Sequence, residues 1–85
     1  MRLLATERFL RDYADIPSDI RKRTYRKLRY LARDLSHPSL RAKRARGHDG
    51  VYEGSINMDD RFLSRMAESA YVLLRIGRHD ILEAR

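Results

Sequence analysis

The sequence contains no cysteine and no tryptophan, and only two prolines and four glycines occur among its 85 residues. The absence of cysteine excludes disulfide bonds, thiolate metal sites and a cysteine nucleophile. No apolar run approaches the roughly 18 to 20 residues of a membrane-spanning helix. The N-terminal residues become charged too early for a secretory signal peptide. These absences predict a cytoplasmic protein that has no membrane partner.

The composition is that of one small globular domain with a strongly basic first half. Hydrophobic residues make up 42% and charged residues 36% of the sequence, so residues 1–85 are predicted to form a single domain. The net charge is +7, and residues 1–46 carry 14 basic but only five acidic side chains. Such a field attracts phosphate backbones, acidic protein segments or anionic membranes. A basic surface that serves only solubility is the alternative.

The N-terminal part of the sequence predicts a short strand followed by two helices. Residues 1–5 are apolar enough for a strand, and Thr6 is suited to cap a short helix. Ile16-Pro17 interrupts this helix, because proline disfavours helical geometry in the residue before it. Ser18 is then expected to cap the second helix. The apolar side of the first helix consists of Phe9, Leu10 and Tyr13.

The second helix has the clearest apolar stripe in the sequence. The stripe consists of Ile20, Thr24, Leu28, Leu31 and Leu35, which recur at intervals of three or four residues. The other faces of this helix are basic, and His37-Pro38 is expected to end it. Because a short turn joins the two helices, they are predicted to form an antiparallel hairpin.

From residue 51 onward the hydrophobic period changes to the alternation of β-strands. Alternating stretches at 51–57, 61–66 and 71–77 are separated by turns, which predicts an antiparallel meander. The predicted fold is α+β: a short N-terminal strand and a helical hairpin packed on a twisted antiparallel sheet of three to four strands.

The alternation assigns two faces to this sheet. The apolar face, expected to pack on the helices, contains Tyr52, Ile56, Phe62, Met66, Val72, Leu74 and Ile76. The opposite face, here called the open face, contains Glu53, Ser55, Arg61, Arg65, Arg75 and, beyond Gly77, His79. Leu63, Tyr71 and Leu73 alternate onto the same open face, where a binding partner is expected to cover them.

The open face combines residue types that can cleave RNA without a metal or another cofactor. RNA supplies its own nucleophile, the 2′-hydroxyl, so the protein needs a base, an acid and a cation that stabilises the phosphate charge. Glu53 or Asp59 is a candidate base, His79 a candidate acid, and Arg61 with Arg75 a candidate phosphate clamp. An exposed ion pair between Glu53 and Arg61 and a plain surface role for His79 are the alternatives. Further candidate phosphate-binding residues are Lys43, Arg46, Arg65 and Arg78.

Four segments occur in a distinctive order along the sequence: His37-Pro38-Ser39-Leu40 with the basic stretch to Gly47, Gly50-Val51-Tyr52-Glu53, Ile56-Asn57-Met58-Asp59-Asp60-Arg61-Phe62 and Leu73-Leu74-Arg75-Ile76-Gly77-Arg78-His79-Asp80. Together they resemble the RelE/ParE superfamily of bacterial type II toxins. The resemblance extends from Phe9 to Leu82 and rests on the ordered set of segments. It implies the same α+β fold that the hydrophobic pattern predicts.

The resemblance to the RelE-like branch implies a ribosome-dependent mRNA endonuclease that cuts the codon in the ribosomal A site. It also implies a cognate antitoxin that neutralises the toxin, with operator DNA contacted only through the antitoxin. ParE-like members of the superfamily instead inhibit DNA gyrase. A third alternative is a non-catalytic member that only binds its antitoxin.

The resemblance further assigns roles to individual residues. Arg61 occupies a catalytic position of the superfamily, and the position of His79 carries a catalytic histidine or arginine in nuclease branches. Asp59 or Asp60 matches an acidic position that one branch uses. His79 therefore favours the nuclease over the ParE-like alternative.

Overall fold

A computed structural model, which describes residues 1–47, 49–79 and 82, has two helices and a five-stranded sheet. The elements are β1 (Arg2–Ala5), α1 (Glu7–Asp15), α2 (Ser18–Arg33), a short 3-10 turn (Pro38–Leu40), β2 (Lys43–Arg44), β3 (Val51–Ser55), β4 (Asp60–Met66) and β5 (Ala70–Arg78). The α+β class and the order of strand, two helices and meander are those that the sequence predicts. His48, which belongs to a predicted turn, and Asp80, which ends the last segment of the family resemblance, lie outside the described residues.

The sheet has the strand order β1-β5-β4-β3-β2, and its edge strand β1 runs parallel to β5. The remaining neighbours are antiparallel, as the meander predicts. The predicted N-terminal strand and the predicted antiparallel sheet of up to four strands are therefore confirmed as β1 and β2–β5, whereas the parallel pairing of β1 with β5 was not predicted. Local alternation cannot reveal this pair, because its two strands are joined through all the other elements of the fold.

The helix ends agree only partly with the predicted caps. Thr6 caps α1 as expected, since its Oγ1 accepts a hydrogen bond from the backbone N–H of Phe9 at 3.1 Å. The prediction that Ser18 caps α2 is wrong, because Pro17 occupies the cap position and no side chain accepts a hydrogen bond there. Tyr13 joins the two helices by donating its hydroxyl hydrogen to the carbonyl of Arg21 at 3.3 Å.

The core lies between the helices and one face of the sheet. Thr24, Leu28 and Leu31 of the predicted α2 stripe are buried, and Ile20 and Leu35 pack against them partly exposed. Most of the rest of the core comes from α1, from β4 and β5 and from the residue directly after β3, and includes Phe9, Ile56, Phe62, Tyr71, Leu73 and Ile76. Leu10 and Met66, which the sequence pattern places on apolar faces, are 54% and 46% exposed.

A β-bulge changes the face assignment along β5. Ser64 pairs with Leu73 while the neighbouring Leu63 pairs with Arg75, so Leu74 is an extra residue in the ladder. Tyr71 and Leu73 therefore face the core, with exposed fractions of 6% and 3%. The prediction that these two side chains lie on the open face is wrong, and so is the placement of Val72 and Leu74 in the core.

We expect Leu28→Ala to lower the free energy of unfolding by about 2–5 kcal/mol, because truncation leaves a cavity between α2 and the sheet. A loss of this size is a large part of the roughly 5–15 kcal/mol available to a small domain. Tyr25→Ala is the matched control, since Tyr25 lies on the same helix but is 62% exposed. Equal midpoints in urea unfolding for the two variants would contradict this packing of α2.

Candidate active site

Glu53 is a buried carboxylate in the middle of β3 on the open face of the sheet. The residue is only 7% exposed, although it lies on the face of the sheet opposite the one that packs on α2. Among the described residues its Oε2 atom accepts no hydrogen bond. A buried and unsatisfied carboxylate oxygen costs free energy, and such groups are rare outside sites that bind or react. Glu53 is therefore the natural centre of a candidate site.

Arg61 lies at the start of β4 and points its guanidinium towards Glu53. Its Nε is 3.5 Å from the Oε2 of Glu53. Its Nη1 donates to the carbonyl oxygens of Asn57 at 2.5 Å and Asp60 at 2.9 Å. The turn that holds these carbonyls is itself closed by Asn57, whose Oδ1 accepts from the backbone N–H groups of Asp59 and Asp60 at 2.8 Å. The turn therefore orients the guanidinium before any ligand binds.

His79 follows directly after β5 and completes a group of three. Its Nε2 lies 3.5 Å from the same Oε2 atom of Glu53. Its backbone N–H donates to the carbonyl of Asp59 at 2.8 Å, which ties the end of β5 to the turn that holds Arg61. The His79 side chain is 39% exposed while that of Glu53 is 9% exposed, so solvent reaches the group from the histidine side. The fold thus brings Glu53, Arg61 and His79 together, as the alternation predicts. These three residues are here called the Glu53 triad.

The structure places Asp59, the second candidate base, differently. The residue is exposed in the turn before β4, and its backbone rather than its carboxylate contacts His79. No hydrogen bond or ion pair of the described residues includes the Asp59 carboxylate. Glu53 is therefore better placed than Asp59 to take a proton beside Arg61 and His79.

A basic cleft opens beside Glu53 at the β2 edge of the sheet. Lys43, Arg44, Arg46 and Glu53 line this cleft, which has a volume of about 430 Å³. Lys43 is the register neighbour of Glu53 across β2 and β3. Two of the predicted phosphate-binding residues, Lys43 and Arg46, thus lie beside the Glu53 triad. Arg44, which the sequence analysis does not single out, lines the same cleft.

The other three predicted phosphate-binding arginines have different surroundings. Arg65 is exposed and pairs with Val51 in register on the open face. Arg75 is held by Asp12 of α1, with its Nε 2.7 Å from the Asp12 Oδ2. Arg78 lies beyond the bulge in a second cleft, about 400 Å³ in volume, that Asp12 and Asp60 also line. Arg75 therefore joins α1 to β5, a role that its position in the sequence does not reveal.

Asp12 stabilises the end of β5 beyond the residues that pair with β1. Its Oδ2 accepts from the backbone N–H of Ile76 at 3.1 Å as well as from Arg75. Burial alone would raise the pKa of Asp12, but the hydrogen bonds from Arg75 and Ile76 and the charges of Arg75 and Arg8 lower the pKa below its usual 3.8. The ionised carboxylate is therefore the form that stabilises the end of β5.

We expect Asp12→Asn to lower the free energy of unfolding by about 1–3 kcal/mol at pH 7, since it removes a hydrogen bond between charged groups. Because the folded-state pKa of Asp12 is lowered, its stabilisation is complete above 3.8 and is lost as the pH falls through the folded-state value. The difference between wild type and variant should therefore shrink in acid. Urea unfolding between pH 7 and pH 2 measures the difference in the free energy of unfolding between wild type and Asp12→Asn. A difference that stays constant with pH would contradict the stabilising role of the ionised Asp12 carboxylate.

Among residues 1–47, 49–79 and 82, no three or more histidine, aspartate or glutamate side chains are grouped so that they could hold a metal ion. Neither helix in these ranges could span a lipid bilayer.

Comparison with known proteins identifies the fold of this chain. Neither a protein-family model nor a curated protein matches the sequence. Among solved structures, a YoeB/ParE toxin from Agrobacterium tumefaciens is similar with a TM-score of 0.81 and 18% identity, over 93% of this chain and 99% of that one. The chain has the RelE/YoeB toxin fold. The fold expected from the sequence resemblance is thus confirmed.

Two further structures agree with the RelE/YoeB toxin fold. A RelB-RelE antitoxin-toxin complex from Methanococcus jannaschii has a TM-score of 0.76 at 18% identity, over 93% of each chain. YafQ from Escherichia coli strain BL21(DE3) has a TM-score of 0.69 at 16% identity, over 99% of this chain and all of that chain. The similarity therefore spans the RelE/YoeB toxin fold from end to end, without a large insertion on either side.

Proposed function

We propose that the protein is the toxin of a type II toxin–antitoxin pair and acts as a ribosome-dependent mRNA endonuclease. The observation that carries the proposal is the Glu53 triad, in which one buried carboxylate oxygen lies 3.5 Å from both Arg61 Nε and His79 Nε2. A base, a cation and a proton donor at these distances are the parts that cleavage by the RNA 2′-hydroxyl requires. The basic cleft beside Glu53 supplies cations that can bind the flanking phosphates.

The proposed reaction begins when the 2′-hydroxyl attacks the adjacent phosphorus. Glu53 takes the hydroxyl proton through its unsatisfied Oε2, and the new bond joins the 2′-oxygen to phosphorus. Arg61 stabilises the negative charge that develops on the phosphoryl oxygens, using donors that are not engaged by the turn. His79 gives its proton to the 5′-oxygen as that bond breaks. The products are a 2′,3′-cyclic phosphate and a free 5′-hydroxyl.

A cognate antitoxin is part of the same proposal. One structural neighbour is a RelB-RelE antitoxin-toxin complex and another is a YoeB-YefM complex from Staphylococcus aureus. On this chain an antitoxin would present acidic side chains to Arg61 and Arg65 on the open face. It would also cover Leu4, which is 43% exposed at the edge of the sheet. Tyr71 and Leu73 are not available to it, because the bulge places them in the core.

Translation in vitro with purified protein, followed by primer extension on the mRNA, tests this function. We expect new 5′ ends within codons at the ribosomal A site, and no such ends on mRNA without ribosomes. The same protein should leave DNA supercoiling by gyrase unchanged. Intact mRNA together with inhibited supercoiling would support the ParE-like alternative instead. Intact mRNA and normal supercoiling, from a folded protein that binds an antitoxin, would support the non-catalytic alternative.

A further inference from the structure

The bulge in β5 decides which side of the sheet His79 occupies. Side chains on a regular strand alternate between the two faces with a period of two. The buried side chains of β5 include Tyr71, Leu73 and Ile76, so the interval grows from two residues to three where the bulge adds Leu74. Beyond the bulge, the odd-numbered positions therefore change from the core face to the open face.

The position of His79 beside Glu53 depends on this change of face. Gly77 pairs in register with Arg61 on the open face, and His79 follows two residues later on the same side of the chain. In a strand without the extra residue, position 79 would keep the parity of the core residues and face the helices, and Arg78 would take its place. The bulge therefore brings the His79 Nε2 to within 3.5 Å of Glu53.

Thr6 binds the backbone at the first half of the bulge. The pairing of β1 with β5 ends at Leu73, one residue before the extra Leu74. There the Thr6 hydroxyl donates to the Leu73 carbonyl at 2.9 Å and lies 3.4 Å from the Leu74 carbonyl. The backbone N–H of Thr6 also donates to the Leu73 carbonyl, at 3.1 Å. The residue that caps α1 thus joins the start of that helix to the bulge.

Asp12 of α1 binds the chain at the second half of the bulge. Its Oδ2 accepts from the backbone N–H of Ile76 at 3.1 Å and from the Nε of Arg75 at 2.7 Å. Asp12 and Thr6 therefore hold both sides of the bulge from one helix and its cap residue. Because a bulge bends its strand and interrupts the ladder, these contacts fix the direction in which β5 continues towards the Glu53 triad.

We propose that the β5 bulge serves to place the catalytic acid, and that Thr6 and Asp12 are positioning residues that act on His79 through the backbone of β5. The proposal rests on the proposed cleavage function, in which His79 protonates the departing 5′-oxygen. Strand pairing alone does not account for the bulge, because a regular strand would complete the ladder without an extra residue. A displacement of about 1 Å can slow a reaction about 100-fold, so hydrogen bonds far from the reacting atoms can control its rate.

Thr6→Asp and Thr6→Ser form a matched pair of variants that tests this role. Aspartate and serine both cap helices well, so both keep the hydrogen bond from the Phe9 N–H. Only the serine hydroxyl can donate to the Leu73 carbonyl, because an ionised carboxylate has no hydrogen to donate. Single-turnover cleavage of mRNA on ribosomes should be about 10- to 100-fold slower for Thr6→Asp and within about 3-fold of wild type for Thr6→Ser. Thermal melting checks that both variants are folded.

An mRNA with sulfur in place of the departing 5′-oxygen distinguishes a misplaced acid from a general disturbance of the fold. The thiolate leaves without a proton, so Thr6→Asp should cleave this mRNA within about 3-fold of the wild-type rate. Asp12→Asn, which weakens the contact at the second half of the bulge, should also be slow only on the oxygen substrate. Equal slowing on both substrates would overturn the proposal, and so would a wild-type rate of folded Thr6→Asp on the oxygen substrate.

A measurement without RNA tests the placement of His79 even if the wild type cleaves no mRNA. Nitrogen-15 NMR of the histidine rings reports whether His79 lies beside Glu53. Glu53→Gln should shift the His79 Nε2 resonance in the wild type and in Thr6→Ser, but not in Thr6→Asp. This pattern together with intact mRNA would count against the proposed cleavage function and support the positioning of His79. An equal shift in all three backgrounds would overturn the role of Thr6.

Discussion

His79→Ala is expected to slow mRNA cleavage by about 100- to 10,000-fold, the range for the loss of a general acid. The imidazole Nε2 lies 3.5 Å from Glu53, at the more exposed side of the triad, where a departing 5′-oxygen would be within reach. Without the imidazole the 5′-oxygen would leave as an unprotonated alkoxide. Single-turnover cleavage of mRNA on stalled ribosomes measures the effect without interference from product release.

A modified mRNA tests the assigned role directly. If sulfur replaces the 5′-oxygen at the cleaved bond, the leaving group is a thiolate that needs no proton. His79→Ala should then cleave this mRNA at nearly the wild-type rate. A defect of equal size on the oxygen and sulfur substrates would show that His79 is not the acid. Thermal melting should be little changed, because His79 lies outside the core.

Arg61→Ala is expected to reduce cleavage by at least about 100-fold, the scale for losing a preorganised donor to a developing charge. Arg61→Lys should restore only part of the rate, since an ammonium group cannot make a forked contact with a phosphate. Arg65→Ala is the matched control, because Arg65 lies on the same strand and the same face but is exposed and outside the triad. Its effect should be less than about 10-fold.

Arg61 also closes the turn before β4, so its variants need a structural measurement. The guanidinium Nη1 donates hydrogen bonds to the carbonyls of Asn57 and Asp60. The Asp59 carbonyl of the same turn accepts a hydrogen bond from the backbone N–H of His79. Cleavage rates should therefore be compared with melting temperatures for Arg61→Ala, Arg61→Lys and Arg65→Ala. If Arg61→Ala melts like the wild type and cleaves at the wild-type rate, the Glu53 triad is not the active site.

Features that depend on local spacing could be predicted from the amino-acid sequence alone. The α2 stripe around Leu28 follows from the 3.6-residue period, and the Thr6 cap follows from the preference for a hydroxyl before a helix. Glu53, Arg61 and His79 share a face because alternation along strands has a period of two. No irregularity interrupts the pairing of β3 with β4, so the alternation correctly joined Glu53 to Arg61.

Features that depend on strand register and on partners distant in sequence became visible only in the folded protein. The bulge opposite Leu63 and Ser64 reverses the faces of Tyr71 and Leu73, and one extra residue in a ladder leaves no mark on local hydrophobicity. The pairing of β1 with β5 and the capture of Arg75 by Asp12 join residues more than 60 positions apart. These contacts form because the backbone N–H and C=O groups at the edge of β5 need hydrogen-bond partners. Which segment supplies those partners depends on how the helices and strands pack, and local sequence does not reveal it.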